Sequence, residues 1–156
     1  MPLDPRTQKL AKILVDYSLK VKKGENVVIA GSSEASDFIV ALFREIILKG
    51  AYPTTKIDLP GLTPFYYQNA TADQIKNFPK IYNYTVKNAQ KYIGINTSFN
   101  TRELSNCDPK KIAERQKILR PITDYIVNAK DKIRRCTVGY PCAAFAQEAE
   151  IGRAHV

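Results

Sequence analysis

Four short runs rich in β-branched and aromatic residues punctuate this chain, and each is separated from the next by a stretch long enough for a helix. The runs are Asn26-Val27-Val28-Ile29-Ala30, Ala51 to Leu59, Tyr92-Ile93-Gly94-Ile95 and Ile133 to Tyr140. Strands spaced in this way pair in parallel, because the connections are helical crossovers and not tight hairpins. The unbroken apolar character of the first run fits a strand buried on both faces. The expected class is α/β: a three-layer sandwich with a mainly parallel sheet and strands near 26–30, 52–58, 91–96 and 133–139. Pro53 either weakens the second strand or places it at an edge, since proline has no N–H for an inner ladder.

Caps mark the helices between the strands. Asp4-Pro5 and Asp108-Pro109 each join an N-cap carboxylate to a proline at the first helical position. Thr71-Ala72-Asp73-Gln74 has the form of a capping box, and Thr63-Pro64 and Pro79 open two further short helices. Leu10, Ile13, Leu14, Tyr17 and Val21 follow the spacing of one helical face, with Gly24 as a left-handed stop. Ala35, Phe38, Ile39, Leu42 and Ile46 line a second helix that ends at Gly50. Ile81, Tyr82 and Val86 share one side of the helix after Pro79. Ile112, Arg115, Ile118 and Leu119 belong to a helix that Pro121 should kink or restart, with Ile122, Tyr125 and Ile126 continuing its apolar side. Cys136 and Val138 point inward from the fourth strand. Pro141 starts a last helix through Ala149.

A chain of 156 residues suits one domain with a real core. Apolar content of 44% and charged content of 25% are ordinary for a soluble globular protein. The three cysteines, Cys107, Cys136 and Cys142, are odd in number and follow no secretion signal, which points to free thiols in a reducing, cytoplasmic setting. No apolar run is long enough to span a membrane. The net charge of +9 comes from lysines spread along every predicted helix, with no nucleic-acid-reading motif beside them. A solvated basic surface is the simpler account, so neither nucleic acid nor membrane is expected as a partner.

In an open parallel sheet, ligands gather at the carboxyl ends of the strands. The candidate cavity-lining residues are therefore Ser32, Ser33, Asn96, Ser98, Asn100, Arg102 and Tyr140, all on loops after strands. Gly31-Ser32-Ser33-Glu34 offers backbone N–H groups at a helix start, where an anion is favoured, but it lacks the glycine fingerprints of nucleotide-binding loops. Arg102 suits bidentate capture of a carboxylate; against that, polar side chains in such a loop usually satisfy their own backbone. Glu103, Asp108, Glu114 and Asp124 lie too scattered for a carboxylate pair or a metal cluster. Cys107 precedes a helix N-cap, which lowers a thiol pKa, yet it has no histidine to activate it. Local chemistry alone yields no complete active site.

Several segments taken together carry a resemblance. They are Lys22-Lys23-Gly24-Glu25-Asn26-Val27-Val28-Ile29, Tyr92-Ile93-Gly94-Ile95, Asn100-Thr101-Arg102-Glu103-Leu104-Ser105-Asn106, Asp108-Pro109, Arg120-Pro121, Gly139-Tyr140-Pro141 and Ala144-Phe145-Ala146-Gln147-Glu148-Ala149. In order and spacing the chain resembles the thermophilic metalloaminopeptidase family, of the aminopeptidase T and aminopeptidase S type. The resemblance implies a cytosolic, often dimeric, two-domain exopeptidase acting on peptides. It also implies two divalent ions, cobalt or zinc, held by Glu, His and Asp of a second domain that lies beyond this sequence. Residues 1–150 are then the N-terminal α/β domain of a longer enzyme, with no catalytic or metal-binding position of their own. The alternative is a stand-alone α/β module that holds a small anion at Gly31–Glu34 or Asn96–Arg102.

Ile151–Val156 fits no continuation of the last helix and is read as a non-native tail, which also sets aside His155, the only histidine; a frayed natural terminus is the other account. Deleting Ile151–Val156 should leave the thermal midpoint within about 1 °C, because a tail without packing partners contributes little stability. Differential scanning calorimetry of the two forms checks this, and a drop of several degrees would show a structural tail.

Overall fold

The computed structural model describes residues 2–97 and 103–140. Its centre is a sheet of four parallel strands: β1 (Asn26–Ser32), β2 (Tyr52–Asp58), β3 (Lys91–Asn96) and β4 (Arg134–Gly139), in the spatial order β2-β1-β3-β4. The helices are α1 (Pro5–Ile13), α2 (Ser36–Leu48), α3 (Leu62–Asn69), α4 (Ala72–Lys76), α5 (Lys80–Lys87) and α6 (Pro109–Asn128). The expected strands and their parallel pairing are all present. β2 is an edge strand, which is where Pro53 is tolerated.

β1 is buried on both faces because its side chains alternate between two cores. Val27 and Ile29 join Ile93 and Ile95 of β3 against Phe38, Leu42 and Ile46 of α2 and Ala11, Leu14 and Val15 at the first helix. Val28 faces the other way, into a second cluster with Val86 of α5, Ile122 of α6, Ala89 and Ile133. Helices therefore cover both faces, giving three layers. A smaller cluster of Tyr67, Ile75 and Cys107 packs α3 and α4 against the start of α6.

Backbone and amide hydrogen bonds set the register at the amino ends of the strands. The Gln90 side chain accepts from Asn26 N–H at 2.7 Å, while its own N–H donates to Asn26 C=O at 2.9 Å. Its carbonyl accepts from Arg134 N–H at 2.9 Å. One residue thus aligns β1, β3 and β4. At the end of α2, Gly50 takes φ +75°; Ala51 N–H returns to Ile46 C=O at 3.1 Å and Gly50 N–H to Ile47 C=O at 2.9 Å. That is a Schellman stop, which needs a left-handed residue.

The caps form as expected. Asp4 accepts from Arg6 N–H, and Asp108 accepts from Lys110 N–H. Thr71 and Gln74 make the reciprocal capping box at 3.3 and 2.9 Å.

Four local expectations are corrected. The first helix does not turn Tyr17 inward: past Ile13 it widens into a π-helical turn over Leu14–Ser18, with Leu19 N–H bonded to Leu14 C=O. The wider turn rotates the face, so Val15 and Leu19 are buried while Tyr17 is 74% exposed. The left-handed residue that follows is Lys20, at φ +51°, and Gly24 at φ +82° belongs to the next turn instead. α6 runs through Pro121 as one helix, so of the kink and the restart expected there the restart does not occur. Pro121 and Lys117, whose carbonyl loses its N–H partner, both lie on the exposed side, where water replaces the bond. Finally, Ile81 is 87% exposed, leaving Tyr82 and Val86 to pack; Cys136 and Val138 do turn inward and pack, half-buried, against the first core.

Ile29 is fully buried on the central strand. Ile29→Ala should cost about 3–4 kcal/mol in urea unfolding through lost burial and a residual cavity, whereas Thr55→Ala on the exposed edge should change stability by less than about 0.5 kcal/mol. Equal effects at both positions would contradict the packing described.

Candidate functional site at the carboxyl edge of the sheet

The order β2-β1-β3-β4 sends the chain leaving β1 toward β2 and the chain leaving β3 toward β4. The two loops diverge, and a crevice opens between the carboxyl ends of β1 and β3. Gly31 lets the strands approach closely there: a Cβ on it would lie 3.1 Å from Ile95 Cβ.

Ser32 ends β1 at this crevice and Thr97 follows β3, with their hydroxyl oxygens 2.9 Å apart. Ser32 O–H donates to the Glu34 carboxylate, so the Thr97 hydroxyl is the donor to Ser32 Oγ. Glu34 N–H also donates to Ser32 Oγ, at 3.3 Å, capping the short 3₁₀ turn Ser33–Ala35 that leads into α2. The Ser32 hydroxyl is thereby fully committed. A negative charge already sits beside the group that an incoming anion would need.

Tyr140 follows β4 directly. Its N–H donates to Asn96 C=O at 3.2 Å, and its ring stacks flat on Phe38 with centroids 5.1 Å apart. Its hydroxyl lies 3.5 Å from Thr7 Oγ1. The ring therefore packs toward α1 and α2. Asn96, on the opposite face, lines a cavity beneath α6. Ser32, Ser33, Asn96 and Tyr140 thus share one edge of the sheet, while Ser98, Asn100 and Arg102 lie outside the described residues. Thr97 and Glu34 complete this edge. Their signal in the sequence was only that both are polar residues just past a strand.

Elsewhere, Tyr82 of α5 and Tyr92 of β3 bring their hydroxyls within 3.1 Å. Burial, and then the hydrogen bond to Tyr92, push the Tyr82 phenol well above its ordinary value. Burial also raises the Cys136 thiol, so it is not a ready nucleophile. A groove of about 720 Å³ lies between α3, α4 and the start of α6. Its one cation, Arg115, donates to the carbonyls of Ile75 and Asn77 and lies over the Tyr66 ring. These bonds clamp the helices together and use the Nη1 donors of the guanidinium, a structural role for the residue. Among the described residues, no three His, Cys, Asp or Glu side chains come together as a metal site would require, and no helix is long and apolar enough to cross a membrane.

Comparison with known proteins adds the following. A family profile described as thermophilic metalloprotease (M29) matches residues 3–153. The solved structure of wild-type AmpT from Thermus thermophilus superposes with a TM-score of 0.74 at 18% identity, covering 90% of this chain and 37% of that one. The chain therefore spans well under half the length of AmpT. A LacI-family transcription repressor from Corynebacterium glutamicum aligns at a TM-score of 0.42 and 9% identity over 86% of this chain and 43% of that one, too loosely to support any conclusion. No sequence among the curated proteins matches.

The raised Tyr82 pKa fixes a pH dependence. In the unfolded chain the phenol ionises near its ordinary value of 10.0, while in the folded chain it keeps its proton to higher pH. Its contribution is thus complete below about pH 10 and is lost as pH rises above that. Urea unfolding at pH 8 and pH 11 should show stability falling at the higher pH, and Tyr82→Phe should make that fall shallower. An equal fall in the variant would mean that Tyr82 is not the group responsible.

Proposed function

As the chain belongs to the thermophilic metalloprotease family M29, we propose that it is the N-terminal α/β domain, residues 1–150, of a two-domain, metal-dependent aminopeptidase that releases N-terminal amino acids from peptides. The observation that supports this most is the family match along almost the whole sequence, joined to a fold that aligns with only 37% of AmpT. A two-metal hydrolase needs several carboxylate and imidazole ligands converging on ions about 3.5–4 Å apart. The described residues supply no such set. In this proposal the ligands for two cobalt or zinc ions belong to the following domain, and this chain binds neither ion.

The role left to this domain is that of a wall. The loops carrying Ser32, Ser33, Asn96, Ser98, Asn100, Arg102 and Tyr140 would face the partner domain or the peptide and bound the substrate cavity. The full-length protein is proposed to be a cytoplasmic homodimer without nucleic-acid partners. The alternative of a stand-alone anion-binding module draws less support at Gly31–Glu34, because Glu34 brings its own carboxylate to the Ser32 hydroxyl.

An aminoacyl p-nitroanilide assay with added cobalt or zinc tests the proposal. The 156-residue chain should be silent, and the full parent protein should release p-nitroaniline. Metal-dependent turnover by this chain alone would overturn the domain assignment, and a silent parent protein would overturn the activity.

A further inference from the structure

Beneath α6 the sheet is floored by small side chains. On the face that β3 and β4 turn toward α6, the register pairs Tyr92 with Arg135, Gly94 with Thr137, and Asn96 with Gly139. Two glycines and a threonine leave space that larger residues would fill. The result is a cavity of about 290 Å³. Its roof is mainly apolar, from Leu119, Ile122, Ile126 and Val127 of α6, with Thr123 the one polar residue there. Spacings of three, four and eight residues from Leu119 or Ile122 put these on one side of the helix.

The polar groups of the cavity are the Tyr82 and Tyr92 hydroxyls, Asn96, Thr123, Thr137 and Arg135. The Tyr82 and Tyr92 hydroxyls form one bond between them, at 3.1 Å. Two O–H groups share that contact, so one proton is left to donate elsewhere. Arg135 lines the cavity from β4, and among the described residues no carboxylate pairs with it. Among the described residues no carboxylate lines the cavity. The site thus offers a mainly apolar roof, hydroxyl and amide groups and an exposed cation, with no carboxylate among the described residues to balance an ammonium group.

We propose that this cavity is a binding site for a short branched aliphatic monocarboxylate, with its tail under α6 and its carboxylate on Arg135. The volume suits a chain of about six carbons, small by the standard of ligand pockets. The carboxylate completes the charge of Arg135 and can accept the spare hydroxyl proton. This site shares Asn96 with the carboxyl edge of the sheet, but its ligand class does not depend on the peptidase assignment.

Titration of the ¹⁵N-labelled 156-residue chain with 4-methylpentanoate, followed by NMR, tests the site. Amide shifts at Gly94 and Thr137 should saturate with a Kd of about 1–10 mM, the range for so small a ligand. The isosteric alcohol, 4-methylpentan-1-ol, should bind at least about tenfold more weakly. Arg135→Gln should bring the acid down to the level of the alcohol. Gly94 has an ordinary strand backbone, and an added Cβ would meet only Tyr92 Cε1 at 3.4 Å and Thr137 Oγ1 at 3.8 Å. Gly94→Ala should therefore fold and weaken binding by about threefold, and Gly94→Val should abolish it. Absence of saturable shifts, or binding unchanged in Gly94→Ala, would overturn the site. Equal affinity for acid and alcohol would overturn the ligand class.

Discussion

The double pairing of β1 is the constraint on which the other elements depend. It bonds to β2 along one edge and to β3 along the other, so its N–H and C=O groups are shared between two parallel ladders. Every side chain on it is then committed to one of two cores. A slip of one residue would exchange Val27 and Ile29 with Val28 and put each in the wrong layer. The Gln90 amide at the amino end resists that slip, because it holds Asn26 from both its N–H and its C=O. The positions of α2 and α6 follow, since each must cover the face that β1 and β3 present.

The same pairing creates the crevice at the opposite end of the sheet. Because β1 lies between β2 and β3, the chain departs from the sheet in opposite directions after β1 and after β3. The structure does not leave the loops apart: the Thr97, Ser32 and Glu34 relay links them. Such a relay holds an edge in shape without supplying a nucleophile or a metal ligand. Such an edge fits the role of a wall proposed above.

Covering of the sheet is incomplete on its outer side. α2 is apolar around most of its circumference, and Phe43, Ile47 and Leu48 remain exposed beside the edge strand β2, where Tyr52 and Ile57 are also exposed. α2 packs Phe38, Leu42 and Ile46 inward, and one helix cannot place all its apolar residues against one sheet. Both helix stops nearby are left-handed, at Lys20 and Gly50. Only the glycine announces itself in the sequence, because a lysine in that conformation is held there by its surroundings.

Strand positions, the Thr71 and Asp108 caps, the Gly50 stop and the edge position of β2 were legible in the sequence, because each depends on neighbours within a few residues. Short β-branched runs, a carboxylate before a proline and the glycine after α2 each act locally, whereas Gly24 lost its expected role as a helix stop to Lys20. The π-helical turn at Leu14–Ser18 was not legible. It arises where the first helix must seat Val15 and Leu19 against a core built from residues far along the chain. Nor was the unbroken course of α6 through Pro121, which depends on that side of the helix facing water. The Ser32–Thr97 relay joins residues 65 apart, and the cavity beneath α6 exists because Gly94 and Thr137 fall side by side in the β3–β4 register. Spacing along a chain records which elements form; which side chains meet across them is decided when strands far apart in sequence are brought into one sheet.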